Sequence, residues 1–211
     1  MKRASSLSLR RATAAQTVST GLDDYLATCK EACDSEINRL YGRGQRGSNG
    51  LYDLILDYPL RGGKALRPAL SIATCLGLGG HLEAVLPTAA TLELYHNAFL
   101  IHDDIEDESW SRRGKPTLHI DHGIPIAVNV GDAMLSLSLQ PLLDNVERVG
   151  LGPALRILRA VAHMTRRTVE GQALELDWVR NNTWQLDRSY GSSERRSSCD
   201  LRGSVYLESR A

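Results

Sequence analysis

Phenylalanine occurs once in the 211 residues and aromatics make up 5%, so the core has to be aliphatic. Leu and Ala dominate the middle of the chain, and both favour helix. Net charge is missing too: 25 basic residues meet 25 acidic ones. That removes any global argument for nucleic acid or an anionic membrane as a partner, so charge can only act locally. Cysteine is sparse, at Cys29, Cys33, Cys75 and Cys199, with no Cys-x-x-Cys pair. A disulfide framework is thereby excluded and a reduced, cytoplasmic compartment expected. No uninterrupted apolar run reaches the ~20 residues that span a bilayer. The stretch Ala133–Leu143 is broken by serines and Gln140, and no transmembrane segment is expected.

What remains is helical periodicity. From Gly21 to Tyr41, Leu22, Leu26, Cys29, Cys33, Ile37 and Leu40 recur at three- and four-residue steps, the signature of an amphipathic helix. Gly42–Gly50 reads as a loop. A short helix follows over Leu51–Tyr58, stopped by Pro59, then a buried helix over Leu70–Leu78. Glu83 to Asp107 reads as a long helix, apolar until its acidic end. Ser109–Gly123 is expected to be irregular, and Pro125–Val146 and Pro153–Arg180 to be two further long helices. Only the segment IPIAVNV is ambiguous between strand and helix. The expected fold class is all-α, a helical bundle.

The ends differ in composition. Residues 1–20 carry Lys2, Arg3, Arg10 and Arg11 with no acid. Transit peptides and disordered basic tails share that composition, and the tail is the expectation here. Residues 188–211 are rich in Ser and Arg without helical period. A foreign, frameshifted or disordered end are the candidates, and the body is taken as 21–187.

The acidic run Asp103-Asp104-Ile105-Glu106-Asp107 is where chemistry enters. Asp103 and Asp107 are four apart, so on a helix they share a face. Asp104 is turned about 100° from Asp103. Carboxylates at this spacing repel, and the C-terminal end of a helix disfavours anions. A hard divalent cation would explain what the sequence tolerates: Mg²⁺ is held by one or two carboxylates together with phosphate. A solvated acidic helix end is the bland alternative. Nearby, Ser111-Arg112-Arg113-Gly114-Lys115-Pro116-Thr117 offers guanidinium forks for phosphate oxygens. A second basic cluster, Arg61-Gly62-Gly63-Lys64-Ala65-Leu66-Arg67-Pro68, joins flexible glycines to Lys64 and Arg67 one turn apart. His96 lies seven residues before Asp103, roughly on the same side. His102, His119 and His122 match no common zinc spacing.

Together the segments GGKALRP, LYHNAFLIHDDIEDESWSRRGKPTLH and Gly171-Gln172 resemble the polyprenyl synthetase family of farnesyl, geranylgeranyl and longer isoprenyl diphosphate synthases. The resemblance implies an isoprenoid synthase-type bundle. It implies substrate contacts from Lys64, Arg67 and His96 to isopentenyl diphosphate, with Arg113 also on that side. Asp103 and Asp107 would hold Mg²⁺ against an allylic prenyl diphosphate, with Arg112 as a ligand of that diphosphate, Asp104 in support and Gln172 nearby. The implied reaction is head-to-tail prenyl transfer, with Asp103, Asp107 and Arg112 as its catalytic groups. The small Ala98 and the bulky Phe99 before the first aspartate bear on product length, with a lean to geranylgeranyl.

The sequence departs from the family by lacking a second aspartate-rich motif and the Lys-Thr pair ahead of it. The expectation is a fold truncated after its N-terminal half to two-thirds, with weak or absent turnover by itself and exposed apolar faces between Pro125 and Trp178. A homodimer or pairing with a complete synthase is the expected assembly. A non-catalytic diphosphate-binding subunit and a terpene cyclase fragment are the competing readings, and no nucleic acid is expected as a partner.

Overall fold

The structure, a computed structural model, describes residues 21–42 and 50–181. Both expected tails, 1–20 and 188–211, lie outside the described residues. So does most of the expected loop between Tyr41 and Leu51.

The helices are α1 (Leu22–Tyr41), α2 (Leu51–Leu60), α3 (Leu66–Gly77) and α4 (Leu82–Glu106). A two-stranded hairpin follows, β1 (Ser111–Arg112) and β2 (Lys115–Pro116). Then come α5 (Leu118–His122), α6 (Ile124–Leu137), α7 (Leu139–Val149) and α8 (Leu151–Asn181). Helix accounts for 83% of the described residues, so the all-α expectation holds.

α4 is the central element. It buries residues all round, from Val85 to Asp104, as a helix enclosed by others must. One face, with Ala90, Leu94, Ala98 and Ile101, meets Ile37 of α1, Ile55 of α2 and Val130 of α6. Leu92 and Tyr95 meet Leu142 of α7 and Ile157, Val161 and Met164 of α8. Val85 and Ala89 meet Cys29 of α1 and Ile72 of α3. Fully buried side chains such as Leu94 and Ile101 contribute about 1.5–3 kcal/mol each. This packing fixes the axial position of α4, and so fixes where its acidic end emerges.

Several local expectations are corrected. Pro59 does not stop α2; it sits in the last turn, which runs on to Leu60. α3 begins four residues earlier than expected, because Pro68 falls in its first turn, where a missing N–H breaks no ladder bond. The region after α4 is not irregular: Arg112 pairs with Lys115 across a two-residue turn, and α5 follows. Arg113 and Gly114 in that turn have φ of 54° and 76°, both positive as tight hairpin turns favour. The IPIAVNV segment is the start of α6, with Pro125 in its first turn.

The expected single helix over Pro125–Val146 is two helices, meeting at Ser138. Pro141 has no N–H to offer the carbonyl of Leu137, so the ladder opens there. The Tyr41 hydroxyl of α1 donates to the Leu137 carbonyl instead, at 2.5 Å. The Thr91 hydroxyl donates to the Ser138 carbonyl at 3.1 Å. The same substitution occurs at Pro87 inside α4: Arg148 Nη1 donates to the Glu83 carbonyl at 2.6 Å. Taken as one stretch, Ile124–Val149 is long and apolar enough to cross a membrane by length and composition, against expectation. Part of that apolarity is core, through Val130, Met134 and Leu142.

Candidate active site

The acidic run divides at once. Asp104 is fully buried, Asp103 is half-buried, and Asp107 is exposed at the helix end. The Asp107 amide donates to the Asp103 carbonyl at 2.8 Å, so the two residues stand one turn apart on one face. From α8, Gln172 Nε2 donates to Asp103 Oδ1 at 2.9 Å and also to Glu106 Oε2. The amide thereby ties α8 to the end of α4 and offsets carboxylate repulsion without adding charge. Among the described residues no group of three or more His, Cys, Asp or Glu side chains is placed to cage a metal. Two carboxylates on one face suit Mg²⁺, which completes its shell with water and substrate phosphate.

Asp104 faces the other way. Arg112 Nε and Nη2 donate to its Oδ1 at 2.8 and 2.6 Å, and the Tyr58 hydroxyl donates to Oδ2 at 2.7 Å. Asp104 raises the pKa of Arg112, and burial raises that of the Tyr58 hydroxyl, so both stay proton donors. Arg112, expected as a diphosphate ligand, thus spends Nε and Nη2 on a buried carboxylate. Its Nη1 lies outside these bonds.

Arg113 Nη1 donates to the Tyr58 carbonyl at 3.1 Å. Its guanidinium lies flat against Gly63. A Cβ there would sit 3.0 Å from Arg113 Cζ, and Gly63 has φ of +121°, a backbone that excludes other residues on strain alone. The second basic cluster is therefore brought against the hairpin. Lys64 is exposed beside this contact.

Arg61 of that cluster has a structural job. Its side chain is 3% exposed and its Nη2 is 2.5 Å from Asp57. Its Nη1 donates to the Pro116 carbonyl at 2.6 Å, and its guanidinium covers the Tyr58 ring at 4.4 Å.

His96 joins these elements. Its pKa is pushed down to about 3, by burial first and then by Arg67, Arg113 and Arg112. Arginines from α3, from β1 and from the hairpin turn therefore act electrostatically on one neutral imidazole. Positive charge felt at a neutral ring from three arginines is a field that suits an oxyanion. The structure brings Arg112 and Arg113 to one hairpin against the Gly63 end of the second basic cluster, with Arg67 close enough to act on His96 electrostatically, and it joins Asp103 to Gln172 on the α8 side. Tyr58 and Asp57 were missed by sequence reasoning, because neither belongs to a recognisable spacing.

Ala98 is fully buried in the core that holds α1, α2 and α6. Phe99, one turn before Asp103, packs instead on the side of α8, its ring 6.4 Å from that of Tyr95.

The family model described as polyprenyl synthetase matches residues 49–199. Geranylgeranyl diphosphate synthase of Cyanophora paradoxa is 36% identical over 156 residues, covering 72% of this chain and 51% of that protein. The chloroplastic large subunit 1 of the heterodimeric geranylgeranyl pyrophosphate synthase of Arabidopsis thaliana is 38% identical over 124 residues, covering 56% and 33%. The crystal structure of geranylgeranyl pyrophosphate synthetase from Pyrococcus horikoshii Ot3 superposes with a TM-score of 0.76 at 27% identity, covering 88% of this chain and 56% of that one. The chain spans about half or less of the length of these curated relatives. With the family model matching well over half of its residues, the chain belongs to the polyprenyl synthetase family.

Proposed function

We propose that this chain carries the diphosphate-binding wall of a prenyltransferase that joins isopentenyl diphosphate to an allylic prenyl diphosphate. The observation that carries the reading is the hairpin that holds Arg112 on Asp104 and Arg113 against Gly63 of the second basic cluster, at the end of the helix that carries Asp103 and Asp107. In the reaction the allylic C–O bond breaks and pyrophosphate leaves with the electron pair. The isopentenyl double bond attacks the allylic carbon, leaving a tertiary cation on the isopentenyl unit, and a proton is lost from C2 of that unit to restore a double bond. Mg²⁺ held by Asp103 and Asp107 would supply positive charge to the departing pyrophosphate. Arg112 adds fixed positive charge at the same end, with no reorganisation needed during the step. Phe99 and Tyr95, between α4 and α8, offer an apolar lining that keeps water from an allylic cation. Chain length is set on that side, and we favour a geranylgeranyl product.

The 211 residues contain no second DDxxD motif, and the matched stretches cover only 51% and 33% of these two relatives. We therefore expect little or no turnover by this chain alone. A second reading follows: a subunit that binds diphosphates and pairs with a complete synthase. The name of the Arabidopsis relative shows that heterodimers occur in this family. A homodimer uses the same exposed faces. The free, buried Cys29 and Cys33 favour a reducing, cytoplasmic setting.

The test incubates the purified chain with Mg²⁺, labelled isopentenyl diphosphate, and dimethylallyl or farnesyl diphosphate, alone and with a complete synthase. Mg²⁺-dependent binding of an unreactive allylic thiolodiphosphate with little product is the expected result. Robust turnover by the chain alone would overturn the expectation of inactivity. Absence of diphosphate binding would overturn the functional reading.

A further inference from the structure

Tyr58 is 1% exposed, belongs to no motif, and touches the hairpin arginines by two separate routes. Its hydroxyl donates to Asp104 Oδ2 at 2.7 Å, and Asp104 in turn holds Arg112 through Nε and Nη2. Its backbone carbonyl accepts from Arg113 Nη1 at 3.1 Å. That carbonyl keeps only a long bond from the Arg61 amide, at 3.3 Å, because α2 ends at Leu60, which leaves a lone pair for Arg113. The ring supports the arrangement from the other side, under the Arg61 guanidinium, whose Nη1 bonds β2 at Pro116. The hydroxyl also accepts from the Leu118 amide at 3.4 Å, fixing the chain just after the hairpin.

The charge arithmetic explains why a phenol stands here. A carboxylate buried as deeply as Asp104 is costly unless paired and fully hydrogen-bonded. Arg112 supplies the pairing. Oδ2 also accepts from Arg112 Nε, at 2.9 Å; a second cation there would leave net positive charge in the core, whereas the neutral hydroxyl completes the oxygen's bonding and adds none. Asp104, held from both sides, then presents Arg112 in one plane with Nη1 directed away from the carboxylate.

We infer that Tyr58 is a positioning residue for the diphosphate site, with its hydroxyl setting Arg112 through Asp104 and its carbonyl setting Arg113. This rests on the functional reading above, in which Arg112 serves the allylic diphosphate and Arg113 isopentenyl diphosphate. The two routes are separable. Tyr58→Phe removes the hydroxyl and keeps both the ring and the carbonyl, so Arg112 loosens while Arg113 keeps its anchor.

The experiment is titration calorimetry of the full chain with Mg²⁺, using an unreactive allylic thiolodiphosphate and isopentenyl diphosphate separately. In Tyr58→Phe the allylic Kd rises about tenfold, ~1.4 kcal/mol, and the isopentenyl Kd stays within about twofold of wild type. Equal losses for both ligands mark a general structural role and overturn the inference, as does no loss for either. Replacing Tyr58 with 3-fluorotyrosine keeps the fold and makes the phenol a stronger donor. It shifts the allylic Kd alone, and an unchanged allylic Kd overturns the inference even where Tyr58→Phe does not fold. Failure of the wild-type chain to bind either diphosphate overturns the functional reading, and with it the inference; wild-type binding with equal losses sinks the inference only.

Discussion

Asp103 and Asp104 are neighbours in the chain and opposites in environment. The first shares a helix face with Asp107 and bonds Gln172; the second is buried and paired with Arg112. Removing one partner of a buried ion pair strands the other charge and costs about 3–5 kcal/mol. Asp104→Ala is expected to lose that much in urea unfolding, with Asp107→Ala, at an exposed site, nearly neutral. His96 gives a pH signature. Its folded pKa, about 3, lies below the unfolded value of 6.5, so folding favours the neutral ring. The resulting stability is complete above pH 6.5 and declines as pH falls from there towards 3, where the unfolded chain takes up a proton that the folded chain refuses. Thermal melts of His96→Gln should therefore show a shallower loss between pH 7 and pH 4 than wild type. A bound diphosphate, by offsetting Arg67, Arg112 and Arg113, should also flatten the wild-type curve.

At the scale of elements, the division between what sequence could and could not say follows sequence distance. The end of α4 was legible because an apolar run gives way to acids at a fixed spacing, and that pattern is local. The basic clusters were legible for the same reason, but the split of labour within them was not. Arg61 reads like Arg67 in the sequence; only the nearness of Asp57, the Tyr58 ring and the Pro116 carbonyl makes it structural. Tyr58 was invisible because its partners come from α4, the hairpin and α5. The break between α6 and α7 was missed although Pro141 was in view, since its stability depends on a donor 96 residues away. Tyr41→Phe tests this: it leaves the Leu137 carbonyl buried without that donor and should cost about 1–3 kcal/mol by denaturant unfolding. Hydrogen exchange should increase around Ser138 more than in α3.

For the molecule as a whole, exposed apolar side chains are scattered over the early part of the chain, at Leu22, Leu66 and Leu78, and recur along each of the later helices. Ile126 of α6, Leu139 and Leu143 of α7, and Leu155, Val169 and Leu176 of α8 are each 42% to 53% exposed. Faces of this kind mark interaction surfaces. Light scattering on the purified chain should show a mass above that of a monomer, rising with concentration. Leu143→Lys together with Val169→Lys should shift the population towards monomer while leaving Mg²⁺-dependent diphosphate binding in place, because neither residue touches the basic cluster. Loss of diphosphate binding in that double variant would instead tie assembly to the site.

The prolines inside α4 and α7 have one more effect. Apolar helices slide along each other at little cost, since one Leu contact resembles the next. A carbonyl freed by Pro87 or Pro141 occurs at one height only, and Arg148 and Tyr41 reach it at one height only. The gaps in the hydrogen-bond ladders thus act as keyways: a slip of one residue would break a hydrogen bond at each of them. In a core built with one phenylalanine, these keys supply an axial alignment that bulky interlocking side chains would otherwise have to provide, and the acidic end of α4 is held level with Gln172 as a result.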